Sequence, residues 1–218
     1  MKRSVYRVKG MLCLVVGCLV LLPGCGRIVD WTKDSFYQGQ EFAQHALPQL
    51  YMRSTTIYDQ FETVGMFDAL WLSDAVKTAY TDVWALKFGK SPERRQTFLR
   101  RQLEENRHFI MFYILSLQNI SINEAHGDWS VFLQINDETF APLQVVVLDE
   151  LDYIYKSFFG KKCNRFKDVY LVKFDARDAE DQPLIRPDTR FITLFFRSTK
   201  KQALLQWDLS ALGYEVVS

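Results

Sequence analysis

The sequence predicts an α+β fold, in which an antiparallel β-sheet or β-sandwich forms the C-terminal body and an N-terminal helical pair packs on it. Three observations lead to this prediction. Segments rich in β-branched and aromatic residues recur over residues 108–218, which favours strands. Two segments with helical periodicity precede them, at about 74–88 and 92–106. No regular alternation of strands and helices is present, which argues against a parallel sheet.

The first thirty residues have the pattern of an export signal. Residues 1–10 carry four basic residues and no acidic one, and residues 11–22 carry no charge. A basic segment followed by an apolar run is typical of a secretory signal. The run of roughly twelve residues is shorter than the twenty or so that a membrane-spanning helix needs. Pro23 and Gly24 then end any helix.

The apolar run ends in Leu22-Pro23-Gly24-Cys25, which resembles the lipobox of bacterial lipoproteins. The resemblance implies that the Cys25 thiol receives a diacylglyceryl group and that a signal peptidase cleaves between Gly24 and Cys25. It implies a protein of the cell envelope, anchored to the membrane through lipid at Cys25. Gly26 stands where an Asp retains Gram-negative members in the inner membrane, so the resemblance implies the outer membrane, facing the periplasm.

Cys18 follows a similar tetrapeptide, but cleavage there leaves Leu19 to Leu22 on the mature chain, so Cys25 is preferred. The chain then divides into a signal peptide (1–24), a lipidated tether with a possible short helix (25–50) and a single globular α+β domain (51–218). Loss of residues 1–24 removes four positive charges and changes the formal net charge from +1 to −3. No basic excess remains to indicate a nucleic-acid partner.

The elements of the globular domain follow from local signals. Residues 51–72 are expected to be extended, with a break near Gly65. Ser73 begins the first helix and Gly89 ends it, and Ser91-Pro92-Glu93 begins the second. Strands are predicted at 109–117, 129–135, 143–148, 168–174, 190–196 and 203–207. Two hairpins are expected, at 136–138 and 198–201, and a short helix at 149–159 that Gly160 closes.

The candidates for chemistry are few. His126, with Glu124 and Asp128 nearby, is either part of a loop metal or acid–base site or part of an ordinary turn at Gly127. Two acidic groups have similar alternatives: helix-start chemistry for the first, and a solvated loop or weak cation site for the second. These groups are Asp149, Glu150 and Asp152, and Asp175, Asp178, Glu180 and Asp181. No catalytic residue, cofactor or metal site is assigned.

Two further features carry alternatives. Cys163 is either an incidental thiol or, if the cations of Lys161, Lys162 and Arg165 are close, a thiol of lowered pKa. The basic residues of the second helix either face anionic lipid headgroups or belong to a solvated helix with paired charges. They are Arg94, Arg95, Arg100, Arg101 and Arg107.

The function that the sequence favours is a membrane-anchored envelope lipoprotein with a non-enzymatic structural or protein-binding role, and an envelope protein is its expected partner. One alternative is an envelope hydrolase or metal-dependent enzyme that uses loop carboxylates and His126. A further alternative is a sandwich that binds a small ligand or a lipid, which a sizeable apolar cavity would favour.

Overall fold

The computed structural model describes residues 41–122 and 127–213, and Gln44–Ser218 forms one compact unit. The described helices are α1 (Glu41–Leu50), α2 (Asp74–Lys87), α3 (Pro92–His108) and α4 (Tyr153–Phe159), the last followed by a short 3₁₀ turn (Gly160–Lys162). The strands are β1 (Met52–Asp59), β2 (Glu62–Trp71), β3 (Phe109–Leu117), β4 (Ser130–Ile135), β5 (Glu138–Phe140), β6 (Gln144–Leu148), β7 (Lys167–Asp175), β8 (Phe191–Arg197) and β9 (Gln202–Asp208).

The strands form two antiparallel sheets, so the α+β class is confirmed. The first sheet has the order β1-β2-β3-β7-β6, and the second has the order β5-β4-β8-β9. In the second sheet the side chains alternate between buried and more exposed positions, as along β9. This alternation is expected of a sheet that is covered on one face only.

Aromatic side chains pack the two sheets against each other. The Phe67 ring of β2 stacks on the Phe196 ring of β8, with centroids 4.1 Å apart. The Phe112 ring of β3 contacts the Trp207 ring of β9 at 5.3 Å. The Trp207 indole N–H also donates to the Tyr51 carbonyl oxygen at 2.7 Å. The last strand is therefore tied to the residue that precedes the first.

The helices cover the other face of the five-stranded sheet. The side chains of Ser73 and Ser91 cap α2 and α3 by accepting hydrogen bonds from backbone N–H groups, as their predicted start positions require. The Tyr155 ring of α4 packs on the Tyr113 ring of β3, with centroids 4.8 Å apart. Because β3 is covered on both faces, it is apolar along nearly its whole length rather than alternating.

Three details of the predicted order are wrong. The helical pair is not N-terminal in the fold, since β1 and β2 precede it and belong to the large sheet. The turn at Asn136 joins β4 to the short strand β5, whereas the segment 143–148 pairs with β7 in the other sheet. Helix α4 begins at Tyr153 rather than Asp149, because the Asp152 carboxylate caps it through the Ile154 N–H.

The expected break near Gly65 is also wrong, because Gly65 lies inside β2 and the chain reverses at Gln60 and Phe61. The glycine has a packing reason instead. A Cβ at position 65 would lie 2.8 Å from Cδ1 of Ile57 and 3.1 Å from the Trp129 ring. The lack of a side chain therefore lets these two residues close over the strand.

Candidate functional site

A polar cavity of about 240 Å³ lies between the helices and the outer face of the five-stranded sheet. Helices α2, α3 and α4 form one wall, and strands β3 and β7 form the other. Its lining residues are Leu72, Lys77, Tyr80, Gln102, Glu105, Met111, Tyr113, Asp152, Tyr155 and Leu171.

A lysine–glutamate–lysine network forms one side of the cavity. Lys77 of α2 has a side chain only 1% exposed, and its Nζ donates to the Gln102 carbonyl oxygen at 2.9 Å and to Glu105 Oε2 at 3.0 Å. Lys173 of β7 donates to the other oxygen, Oε1 of Glu105, at 3.1 Å. Glu105 of α3 thus links a helix and a strand through one carboxylate, and both lysines are paired.

Burial and pairing act on these groups in opposite directions. Burial lowers the pKa of Lys77, and the Glu105 carboxylate only partly offsets this effect. Burial on its own would raise the pKa of Glu105, but the hydrogen bonds and charges of Lys77 and Lys173 outweigh it and lower that pKa. A glutamate with a lowered pKa is a poor general base, so the network indicates a structural rather than a catalytic group.

Three tyrosines form the opposite side of the cavity. The Tyr80 and Tyr155 rings stack at 4.4 Å, and Tyr113 meets Tyr155 edge-on. Burial, with the charge of Asp152 as a further cause, raises the pKa of Tyr80 to about 12. Burial raises the pKa of Tyr113 to about 12 as well, and it raises the pKa of Tyr155 well above the ordinary value. All three hydroxyls therefore keep their protons at neutral pH and are available as hydrogen-bond donors.

The arrangement is suited to binding rather than to chemistry. Within the described residues, the Tyr155 hydroxyl makes no hydrogen bond although its side chain is buried. The cavity contains donors and acceptors of nearly balanced charge, and it lies below the roughly 300–1,000 Å³ of pockets for drug-sized ligands. These properties favour a small polar molecule, whereas a lipid would require a larger and apolar cavity.

A second buried charge lies on the same face of the sheet. Asp68 of β2 is 3% exposed and receives hydrogen bonds from Ser54, Lys162 and Lys167, with Lys162 Nζ 3.0 Å from Oδ1. Burial would raise its pKa, but these three donors together lower it. The carboxylate joins β1, β2, β7 and the 3₁₀ turn, so it holds the sheet and the helical layer in register.

The residues predicted from sequence are placed as follows. Gly24, Cys25 and Cys18 lie outside the described residues, and so do Glu124 and His126, so the structure brings none of them to a site. Sequence reasoning missed Lys77, Glu105 and the three tyrosines. The one available signal was Asp68, a lone carboxylate within the apolar segment Met66–Trp71.

The structure resolves the alternatives for Cys163. Its thiol is partly buried, and burial raises its pKa more than the charges of Lys156 and Lys167 lower it. The expectation of a lowered pKa from Lys161, Lys162 and Arg165 is therefore wrong. A thiol of raised pKa has little thiolate at neutral pH and is a weak nucleophile.

The acidic loop is held together by its own hydrogen bonds. The Asp178 carboxylate accepts from the backbone N–H groups of Glu180 and Gln182, each at 2.9 Å, and pairs with Arg186 at 3.1 Å. In the parts of the chain that the structure describes, no group of three or more His, Cys, Asp or Glu residues is placed to hold a metal ion. The carboxylate of Asp178 is thus occupied by loop contacts.

Comparison of the chain with protein families, with curated proteins and with solved structures gave no significant match. Among the described residues, none of the helices combines the length and the apolar composition needed to cross a bilayer.

Proposed function

We propose that this chain is a lipid-anchored protein of the bacterial cell envelope, held on the outer membrane and facing the periplasm. The observation that carries the proposal is the segment Leu22-Pro23-Gly24-Cys25 after a basic start and a short uncharged run. Each buried CH₂ of an acyl chain contributes about 0.8 kcal/mol, so two or more chains on Cys25 give a stable anchor without a spanning helix.

The anchor is tested by labelling cells with a radioactive fatty acid. The parent, Cys25→Ser and the matched control Cys18→Ser are compared. We expect the label and the mature size in the parent and in Cys18→Ser, and neither in Cys25→Ser. Label that persists in Cys25→Ser but disappears in Cys18→Ser would move the anchor to the other cysteine. A purified parent without lipid mass would remove the proposal.

For the globular body we propose a non-enzymatic structural or protein-binding role. The charged groups of its cavity support this role, because Lys77 and Lys173 both pair with Glu105. The β1–β2 turn supports it as well, since it presents Phe61, whose side chain is fully exposed. A photo-crosslinking amino acid at position 61, with position 204 as an exposed control, should capture an envelope protein from intact cells. Repeated trials that return no crosslinked protein would count against the role.

The cavity favours a second candidate function, the binding of a small polar ligand. The observation is the buried Tyr155 hydroxyl, which has no hydrogen-bond partner among the described residues and lines a cavity of about 240 Å³. Monosaccharides and amino acids are suitable probes, because both offer several hydrogen-bonding groups. A ligand should raise the midpoint of thermal unfolding in the parent and raise it less in Tyr155→Phe. No shift with either class of probe would argue against this candidate.

A further inference from the structure

One end of the α2–α3 pair carries exposed apolar and basic side chains side by side. We name it the tip surface, and its residues are Leu86, Phe88, Lys90, Arg94, Phe98 and Arg101. Leu86 and Phe88 are 68% and 54% exposed. Beside them is an open groove of about 380 Å³, in which the Trp84 and Phe98 rings stack at 4.4 Å. Large apolar side chains that point into water together indicate an interaction surface.

The basic residues of the tip surface are free of ion pairs. Within the described residues, no ion pair includes Lys90, Arg94 or Arg101, whereas Arg95 of the same helix pairs with Asp82. Glu93 is the only carboxylate that lines the groove. Residues 25–218 carry a formal net charge of −3, because the four basic residues of 1–24 account for more than the +1 of the full chain. The tip surface is therefore a local positive region on a chain that is negative as a whole.

We propose that the tip surface docks on the surface of a lipid bilayer that contains anionic lipids, an inference that rests on the lipid anchor proposed above. Basic residues near an anionic leaflet are attracted to its headgroups, and exposed apolar side chains enter the headgroup boundary. Leu86 and Phe88 supply the apolar part. Lys90, Arg94 and Arg101 supply the charge, with long side chains that keep the cation at the headgroups.

The length of the tether strengthens this choice of partner. Sixteen residues separate Cys25 from Glu41, where α1 begins. Fully extended, they span at most about 55 Å. A lipid at Cys25 thus keeps the body within that distance of the bilayer, and the effective concentration of headgroups is high. A weak surface is sufficient for docking under this condition, whereas an acidic protein partner has no such advantage.

The test uses the full chain, as isolated from membranes, in vesicles of phosphatidylglycerol and phosphatidylethanolamine or of phosphatidylcholine alone. In a Cys163→Ser background, an environment-sensitive fluorophore is attached through Leu86→Cys or, as a matched control, through Leu204→Cys. Leu204 is 54% exposed on β9 and lies outside the tip surface. Bromine-labelled lipids in the vesicles quench a fluorophore that reaches the headgroup boundary.

We expect quenching at position 86 in the anionic vesicles and little quenching at position 204 or in phosphatidylcholine. Each basic side chain near an anionic surface strengthens binding about fivefold. Arg94→Gln with Arg101→Gln should therefore lower the docking equilibrium constant about 30-fold. The matched control is Arg197→Gln with Lys200→Gln, which removes two exposed cations of the β8–β9 hairpin and should leave docking unchanged.

Failure of docking and failure of the anchor are distinguishable. A chain with lipid mass at Cys25 but no quenching at position 86 overturns the docking proposal and leaves the anchor intact. Equal quenching at positions 86 and 204, or quenching that the arginine variants do not change, also overturns it. If Cys25 carries no lipid, vesicles added to the free chain still report binding through position 86. Crosslinking of position 86 to a protein instead would assign the tip surface to a protein partner and refute the bilayer.

Discussion

Glu105 should contribute more to stability than Lys77, although the two form one ion pair. Glu105→Gln removes the carboxylate and leaves the Lys77 ammonium buried, with only the Gln102 carbonyl oxygen as an acceptor. Lys77→Met instead removes the buried charge and replaces it with an apolar chain of similar length. Glu105 then keeps its second partner, Lys173 at 3.1 Å. The two substitutions therefore leave the site in very different states.

The structure sets the size of the expected difference. At an effective dielectric constant of about 20, two unit charges 3.0 Å apart attract each other by about 5.5 kcal/mol. Breaking a buried pair by removing one partner costs about 3–5 kcal/mol. Glu105 is 37% exposed, so solvent reduces its share, and we expect about 2–3 kcal/mol for Glu105→Gln. Lys77→Met should lie within about 1 kcal/mol of the parent, because apolar replacement of a buried ion is often neutral.

The assay is urea unfolding at neutral pH, followed by tryptophan fluorescence, of the parent, both single variants and the double variant. The double variant should recover most of the loss caused by Glu105→Gln, since Lys77 is no longer present as a buried charge. Equal losses in the two single variants would refute the reasoning. So would a double variant that is no more stable than Glu105→Gln alone, because the cost would then not come from the unpaired lysine.

Three further outcomes follow from the structure. The folded-state pKa of Asp68 lies below its unfolded value of about 3.9, so its contribution is complete above that value and is lost as the pH falls through the folded pKa. Stability measured against pH should therefore fall less steeply in acid for Asp68→Asn than for the parent. Phe67→Ala removes a fully buried ring from between the sheets and should cost about 3–5 kcal/mol in urea unfolding. Gly65→Ala should cost about 1–3 kcal/mol, and Ile57→Val should restore part of it by removing the nearest atom, Cδ1; no recovery would place the clash elsewhere.

The elements that were predictable from sequence are those with local causes. Ser73 and Ser91 cap their helices through their own side chains, and a serine before a helical pattern is visible in the sequence. The strands at 109–117 and 203–207 are likewise composed of residues that prefer extended backbone. The hairpin at 198–201 was predictable for the same reason, since the Ser198 N–H bonds to the carbonyl oxygen of Lys201, three residues away.

The parts that were not predictable depend on distant partners. The apolar stripe of α2 indicated a buried face centred near Val76, yet Lys77, Thr81 and Ala85 are buried as well. The buried face is thus rotated by about a quarter turn at 100° per residue. Lys77 is buried only because Glu105 and Gln102 accept its hydrogen bonds. No local pattern reports partners that lie 25 or 28 positions away in the chain.

The candidate site was unpredictable for a related reason. Tyr80, Tyr113 and Tyr155 are far apart in sequence and come from α2, β3 and α4. Each of them was consistent with an ordinary core position when taken alone. The pairing of β6 with β7 was hidden in the same way, because the apolar segment 143–148 carries no signal that selects one sheet over the other.

The central place of β3 has a consequence for biogenesis. Its neighbour β7 ends at Asp175, and the two strands pair Phe109 with Asp175 and Leu117 with Lys167. A ribosome that adds about 5–20 residues per second needs about 3–12 s to proceed from the end of β3 to the end of β7. During that interval one edge of a nearly wholly apolar strand has no partner and is free to pair with another nascent chain. Successful production of this protein therefore depends on a holding chaperone or on slow, dilute synthesis.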